Sequence, residues 1–599
     1  MKNVYLTRKK IKGRIYLYLE GRAWINGKSR RTWQKYLGSE DKLDKLKLSG
    51  ILSKNDSKIE TETLEFGLSA ALWKIAQDIR LSDIISAVVG KRNQGLSPGD
   101  YFIIAAINRC VAPCSKSKLG NWFKKDWIHT QYEIKPDILN PQAFWNHFHY
   151  FTDDKIEEIQ LKIVKEVIKK YNLEIKGLLY DPTNFYTFSK GGRDWRKGSG
   201  SDMLRFGNSK ENRRDKRQVS FWLICDRDTG IPLFHCSYPG NCQDAGIFKE
   251  IPKRMDVGNY SREKCNKESV PKRVSRYLEK IGINLDEITM VFDNGNLSKE
   301  GMQELDRQSL KFIASRRPST HKNLLSIPKS HFSEITLSMT GKSVQYYKSI
   351  QKIYGQERIV YTTLDPAKQK KKIHEFQSKL TQKKEEIEKY FKDRLDPQNL
   401  IGKQGLGQKW LKKIEVEKKV KKMIGTAPFN KILSAQIEGP DEFLPDHVDQ
   451  LKIFLDINEN MQKKYELTLG RSIIFTNQAE WNAENIIWGY RQQYIVEHAF
   501  RNMKNASTIA IRPMFHHSNA TIPSHVFICV LSYLLLSILR LTLKQEGCTA
   551  TFEEITSNLR EVHVTKIFMK SKSNPLIKID KTTGLASKII DILNLRKLV

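Results

Sequence analysis

The sequence has no CxxC pair, and its eight cysteines follow no regular framework. They read as reduced thiols of a cytosolic protein, and no structural zinc is expected, because no His/Cys pair follows Cys110 and Cys114 at zinc spacing. The opening stretch, MKNVYLTRKKIKGR, carries no apolar signal core. The longest apolar run, Val526 to Leu539, stops at Arg540 and falls short of the roughly 18 residues a spanning helix needs, so a buried helix and no membrane partner are expected. Negative charge is scarce as well: 67 acidic residues stand against 102 Lys and Arg, a net charge of +35 spread along 599 residues. Such a field attracts a polyanion, with nucleic acid favoured over a membrane surface.

A chain of 599 residues exceeds one core, and length alone suggests about three to five domains. Residues 1–60 read as a basic β-rich region, a meander with turns at Gly13 and Asn26-Gly27, followed by a polar linker. Residues 61–173 carry helical periodicity broken at Gly90, Pro98 and Pro113, which suits a compact helical domain that binds DNA. Its expected DNA face is Lys116, Lys118, Lys124 and Lys125 interleaved with Trp122 and Trp127; a basic surface over a tryptophan-anchored core reads equally well. Residues 174–318 read as three strands, a helix, a strand, a helix and a strand. Between the first two strands lies a Gly-rich basic loop, where Lys210, Arg213 and Arg214 are expected to meet phosphates. Residues 319–470 break that pattern with strand-like pieces and Lys/Glu-rich helices, residues 471–546 return to it, and residues 547–599 read as an appendage.

The organising stretch is NIIWGYRQQYIVEHAFRNMK, residues 485–504, read as one long amphipathic helix. Val496, Ala499, Phe500 and Met503 form an apolar stripe, and Tyr490, Gln493, Glu497, Arg501 and Lys504 fall on a neighbouring face. A solvated charge ladder is the bland reading of that face. Two other acids argue against it: Asp181 and Asp293 each end an apolar, strand-like run, GLLYDPTNFYTF and ITMVFDNGN. A carboxylate at the inner end of a buried strand is costly unless a cation or donor meets it. Two such aspartates and one glutamate can hold two hard divalent ions against a phosphodiester.

YDPTNFYTF, GNSKENRRDKRQV, IPLFHCSYPGNCQD, VFDNGNLSKE, YRQQYIVEHAFRNMK and IRPMFHH occur here in the order seen in insertion-sequence transposases. The chain resembles the branch of that DDE family with a Tyr-Arg-Glu-Lys signature. Tyr490, Glu497 and Lys504 match the signature in type and spacing, Gln493 stands at the Arg position, and Arg491 or Arg501 is the substitute. The resemblance implies an α/β fold: an RNase H-like mixed sheet with helices on both faces, in which 174–318 and 471–546 form the catalytic core and 319–470 an insertion domain. It implies Asp181, Asp293 and Glu497 as catalytic residues and ligands of two Mg²⁺ ions, with Mn²⁺ able to substitute. It further implies Tyr490 and Lys504 as contacts to terminal nucleotides, double-stranded transposon ends and target DNA as partners, and a homodimer on DNA. A base turned out of the duplex would use Trp488 or Trp481. The expected setting is the prokaryotic cytoplasm, on the nucleoid when DNA-bound. The rival readings are an RNase H-like nuclease without strand transfer and a domesticated, non-catalytic DNA-binding protein.

Overall fold

The computed structural model describes residues 3–11, 14–25, 28–40, 60–90, 95–188, 203–249, 268–394, 411–443, 451–569 and 574–599. The linker expected before residue 60 lies outside them between 41 and 59, as do residues 189–202 of the basic loop.

Runs rich in β-branched and aromatic residues form a ten-stranded sheet. Its strands are β1 (Gly177–Thr187), β2 (Arg205–Phe206), β3 (Arg217–Asp226), β4 (Pro232–Pro239), β5 (Thr289–Phe292), β6 (Lys311–Arg316), β7 (Ser333–Leu337), β8 (Lys342–Ile353), β9 (Gln356–Leu364) and β10 (Arg471–Thr476). The order is β7-β8-β9-β10-β6-β5-β1-β3-β2, with β4 on the same edge of β3 as β2. β1 is antiparallel to β3 and parallel to β5, which is parallel to β6. Parallel neighbours need crossovers, supplied by helices Val270–Ile281 and Lys299–Arg307. The residues of β3 and β5 are buried almost without interruption, as strands covered on both faces should be.

The expected meander is present: Asn3–Ile11, Arg14–Ile25 and Lys28–Ser39 pair antiparallel in sequence order. Helices follow at Gly67–Asp78, Leu81–Val89, Pro98–Val111, Lys116–Phe123, Pro141–Phe148 and Asp153–Tyr171. Lys116 departs from the expected DNA face. It opens its helix against Phe144, with Nζ 5.0 Å from that ring, and burial pulls its ammonium down to about 7. Trp122 and Trp127 are buried with it, so Lys118, Lys124 and Lys125 alone of that set are exposed.

The apolar run around Val526 extends into a 25-residue helix, Thr521–Gln545. By length and composition it could cross a membrane, with a mean hydropathy of 2.3, yet 89% of that window is buried inside the protein. A helix apolar all round belongs inside a core. It packs on helices Pro98–Val111 and Gly67–Asp78 and on β4, and the Ser532 hydroxyl donates to the Ala106 carbonyl at 3.0 Å. Truncating one of its buried leucines to alanine would remove about 2–5 kcal/mol. Strand Glu60–Glu65 pairs with His563–Phe568, so the helical region, the sheet and the C-terminal segment share one hydrophobic core.

The segment expected as one insertion divides. β7, β8 and β9 extend the central sheet, whereas Phe376, Leu380 and Ile387 of helix Pro366–Lys389 pack on Val416, Val420 and Ile424 of helix Lys413–Ile424 in a second core. The Lys/Glu-rich run is thus a helical hairpin with one apolar side, closed by the strand pair Leu433–Glu438 and Lys452–Ile457.

One buried acid gives this fold a pH dependence. Asp126 accepts from the Ser69 hydroxyl and, at 2.9 Å, from the Ile128 amide, and burial pushes its carboxyl up to about 7. The folded chain therefore keeps a proton that the unfolded chain releases near the ordinary aspartate value. The associated stability is full below about pH 4 and is lost as the pH rises to about 7. Asp126→Asn keeps the acceptor without the charge, so its Tm should fall less than that of wild type across that window. Equal slopes in calorimetric scans would assign the dependence elsewhere.

Candidate active site

β1 and β5 pair up to Leu179 and Val291. Two residues beyond that last pair stand Asp181, within β1, and Asp293, at the exit of β5. Burial pushes the Asp181 carboxyl up to about 7; Lys210 opposes this, and the charges of Asp244, Glu497 and Asp293 add to it. Asp293 is exposed just past the end of β5. It accepts from the Asn294 amide at 2.8 Å, from the Ser315 hydroxyl on β6, and from the Tyr490 phenol at 3.2 Å. Burial, then Asp293, pushes the Tyr490 hydroxyl well above its ordinary range.

The stretch read as one helix is two, Ala483–Arg491 and Tyr494–Lys504, and the break falls at Gln492 and Gln493. Both glutamines are buried, and both amides are used: Gln492 Nε2 donates to the Arg227 carbonyl at 3.3 Å, and Gln493 Nε2 to the Tyr180 carbonyl at 2.9 Å. A bend without Gly or Pro leaves no mark in hydrophobic periodicity. Its effect is that Tyr490 reaches Asp293 from the first helix while the second carries Glu497 toward Asp181. Val496, Ala499, Phe500 and Met503 are the buried side of that second helix, as their spacing requires, and Glu497 is exposed in its first turn. At its other end Lys504 Nζ donates to the Thr183 hydroxyl at 2.9 Å and the Asn184 carbonyl at 2.7 Å, and pairs with Glu211 at 3.3 Å. Burial pulls its ammonium down, with Glu211 opposing. The Glu497 helix is thus fastened to β1 on both sides of Asp181.

Lys210 Nζ donates to the Pro182 carbonyl and pairs with Asp244 at 3.2 Å. Its segment is held close: a Cβ on Gly207 would lie 2.0 Å from the Gly240 carbonyl oxygen, and one on Gly240 would lie 2.1 Å from that of Gln218. Only glycine fits in either place. Arg213 pairs with Asp215 at 2.8 Å, Arg491 with Asp365 at 3.2 Å, and Lys124 with Asp137 at 3.5 Å. Arg214, Arg501 and Lys125 are exposed. Trp481 carries the Arg227 guanidinium 4.9 Å above its ring, and Trp488 is half-buried. Asp244 and Gln493 are the members that sequence reasoning left without a role. Asp244 closes the PGNCQD turn and opens helix Asp244–Lys249, an acid in the first turn being its one local signal.

Among the described residues, no three His, Cys, Asp or Glu side chains form a group that could hold a metal ion. The donor chemistry nevertheless suits a hard divalent cation. The acids are oxygen donors, and the accumulated negative charge that helps hold Asp181 protonated is what such a cation relieves.

Lys504→Met removes three partners from a half-buried site. It should lower unfolding free energy by about 1.5–3 kcal/mol, and Lys504→Arg should recover only part of that because its planar fork differs from a three-donor ammonium. Chemical denaturation decides this, and an unchanged midpoint would make the anchor dispensable.

No family model matches the chain, and no curated protein matches it. Among solved structures, the synaptic complex of piggyBac transposase with hairpin DNA, determined by cryo-electron microscopy, aligns with 84% of this chain and 82% of its own. The two share 9% of residues and a TM-score of 0.32, a likeness that decides neither fold nor activity.

Proposed function

We propose that this chain is a DNA transposase of the insertion-sequence type, with Asp181, Asp293 and Glu497 as an Asp-Asp-Glu triad on an RNase H-like core. One observation supports the reading: Asp181 and Asp293 each follow by two residues the last pair between the parallel strands β1 and β5, and a helix bearing a glutamate is fastened to β1 on both sides of Asp181. The order β4-β3-β1-β5-β6, with β3 reversed, supports the RNase H-like part, being three strands followed by two crossovers.

Two Mg²⁺ ions, or Mn²⁺ in their place, held by the three carboxylates would supply Lewis acidity at the phosphodiester and an activated water. The chain's own residues set the geometry. Tyr490 orients Asp293, Gln493 fixes the Glu497 helix against Tyr180, and Lys210 balances charge beside Asp181. Arg213, Arg214, Arg491, Arg501, Lys124 and Lys125 are the cations proposed to meet phosphates of the transposon end. Hydrolysis frees a 3′ hydroxyl, which then displaces a phosphodiester oxygen of target DNA without a covalent enzyme intermediate. Two ends joined in one event call for a homodimer on DNA, in the cytoplasm on the nucleoid.

The lack of a gathered metal group among the described residues favours a second reading, a DNA-binding protein without catalysis. The test is cleavage of the element's own terminal duplex by wild type and Asp181→Ala, with Mg²⁺ and with chelator. Cutting that needs both the metal and Asp181, joins the product to target DNA, and disappears in Glu497→Gln while duplex binding persists is the expected result. Cutting without joining would leave a nuclease. Binding of paired ends with no cutting would leave the non-catalytic protein.

A further inference from the structure

Beyond the triad, the far end of β1 meets a corner of the sheet where phenyl rings face solvent. Phe188, Phe206 and Phe515 are 57%, 59% and 66% exposed. Single exposed apolar residues need no explanation, but the backbones of these three meet at one corner of the sheet. Phe206 on β2 is level with Arg217 on β3, which is level with Thr187 on β1, and Phe188 follows Thr187. Phe515 follows Met514, whose carbonyl accepts the Thr187 hydroxyl at 2.9 Å.

Cations accompany the rings. Arg217 lies 5.3 Å from the centre of Phe206 and Lys216 lies 5.3 Å from that of Phe188. Tyr186, packed edge-on to Phe188, has Arg213 at 5.0 Å and Arg512 at 4.4 Å. Arg512 is joined through Glu211 to Lys504, so the corner is mechanically continuous with the end of the Glu497 helix.

We infer that this corner binds unpaired nucleotides of a DNA strand, their bases stacking on Phe188, Phe206 and Phe515 and their phosphates meeting the adjoining guanidinium and ammonium groups. A duplex offers phosphates and groove edges to cations, but its base faces are already stacked; a ring exposed beside a cation is useful to a base whose face is free. Tyr186 is five residues along β1 from Asp181, about 17 Å at strand rise, so a strand leaving the triad spans the gap in about three nucleotides. The inference rests on the DNA reading given above.

The probe is a single strand of roughly 12 nucleotides containing 2-aminopurine, compared with its duplex, both titrated against the full chain. Phe188→Ala, Phe206→Ala and Phe515→Ala should each weaken the single strand about tenfold and abolish the stacking quench of 2-aminopurine. Duplex affinity should stay unchanged, and Phe515→Tyr should bind as wild type does. Single-strand affinity unchanged in all three variants overturns the inference, as does a loss shared equally by strand and duplex. A change confined to oligomeric state also overturns it and assigns the rings to a second copy of the chain. Wild type that binds neither strand nor duplex removes the DNA reading itself.

Discussion

Asp181 sits on a strand covered on both sides, and the surrounding elements are arranged to meet the polar groups there. The carbonyl of Tyr180 is taken by Gln493, that of Pro182 by Lys210, and the hydroxyl of Thr183 and carbonyl of Asn184 by Lys504. Each donor comes from a different place in the chain: the break between two helices, the basic segment beside β3, and the end of the Glu497 helix. A carboxyl in such a position is neutral or it is balanced. Among the described residues, Lys210 opposes the rise of the Asp181 carboxyl, and Asp244, Glu497 and Asp293 add to it. The same strand that carries the acid therefore fixes where Glu497 and the basic segment must lie.

The rest of the fold supplies rigidity behind that strand. Helix Thr521–Gln545 contributes little polarity and much apolar surface, and it touches β4 on one side and the N-terminal helices on another. Because strand Glu60–Glu65 pairs with His563–Phe568, segments from opposite ends of the described chain close the same core. Burial shifts the polar exceptions within it, such as Lys116 and Asp126, toward their neutral forms.

Much of this was legible in the sequence. Apolar strand-like runs mark β1 and β5, and Asp293 stands just past the end of β5, but β1 continues through Pro182 to Thr187, so Asp181 is a mid-strand residue rather than the end of its run; the stripe Val496, Ala499, Phe500, Met503 identifies which side of the Glu497 helix is inside. Three features were not legible, each because the signal is tertiary. The bend at Gln492 and Gln493 depends on carbonyls of β1 and Arg227, far away in sequence. Lys116 looks like a surface cation until Phe144 is placed beside it. The strands between residues 333 and 364 read as strand-like pieces, but nothing in their own residues says which sheet they join; β9 is buried through its second half because it lies against β10.

That last point bears on how the molecule could be taken apart. β10, where the chain returns from the insertion, is bonded to β6 on one side and to β9 on the other. The segment between β6 and β10 is woven into the central sheet rather than hung from it on a flexible neck. Excising it would bare a row of unpaired amides and carbonyls along an apolar strand, an adhesive edge ready to recruit any other strand. The helical hairpin is consequently carried by β9 and β10, and β10 in turn is bonded to β6, the strand that holds Ser315 against Asp293.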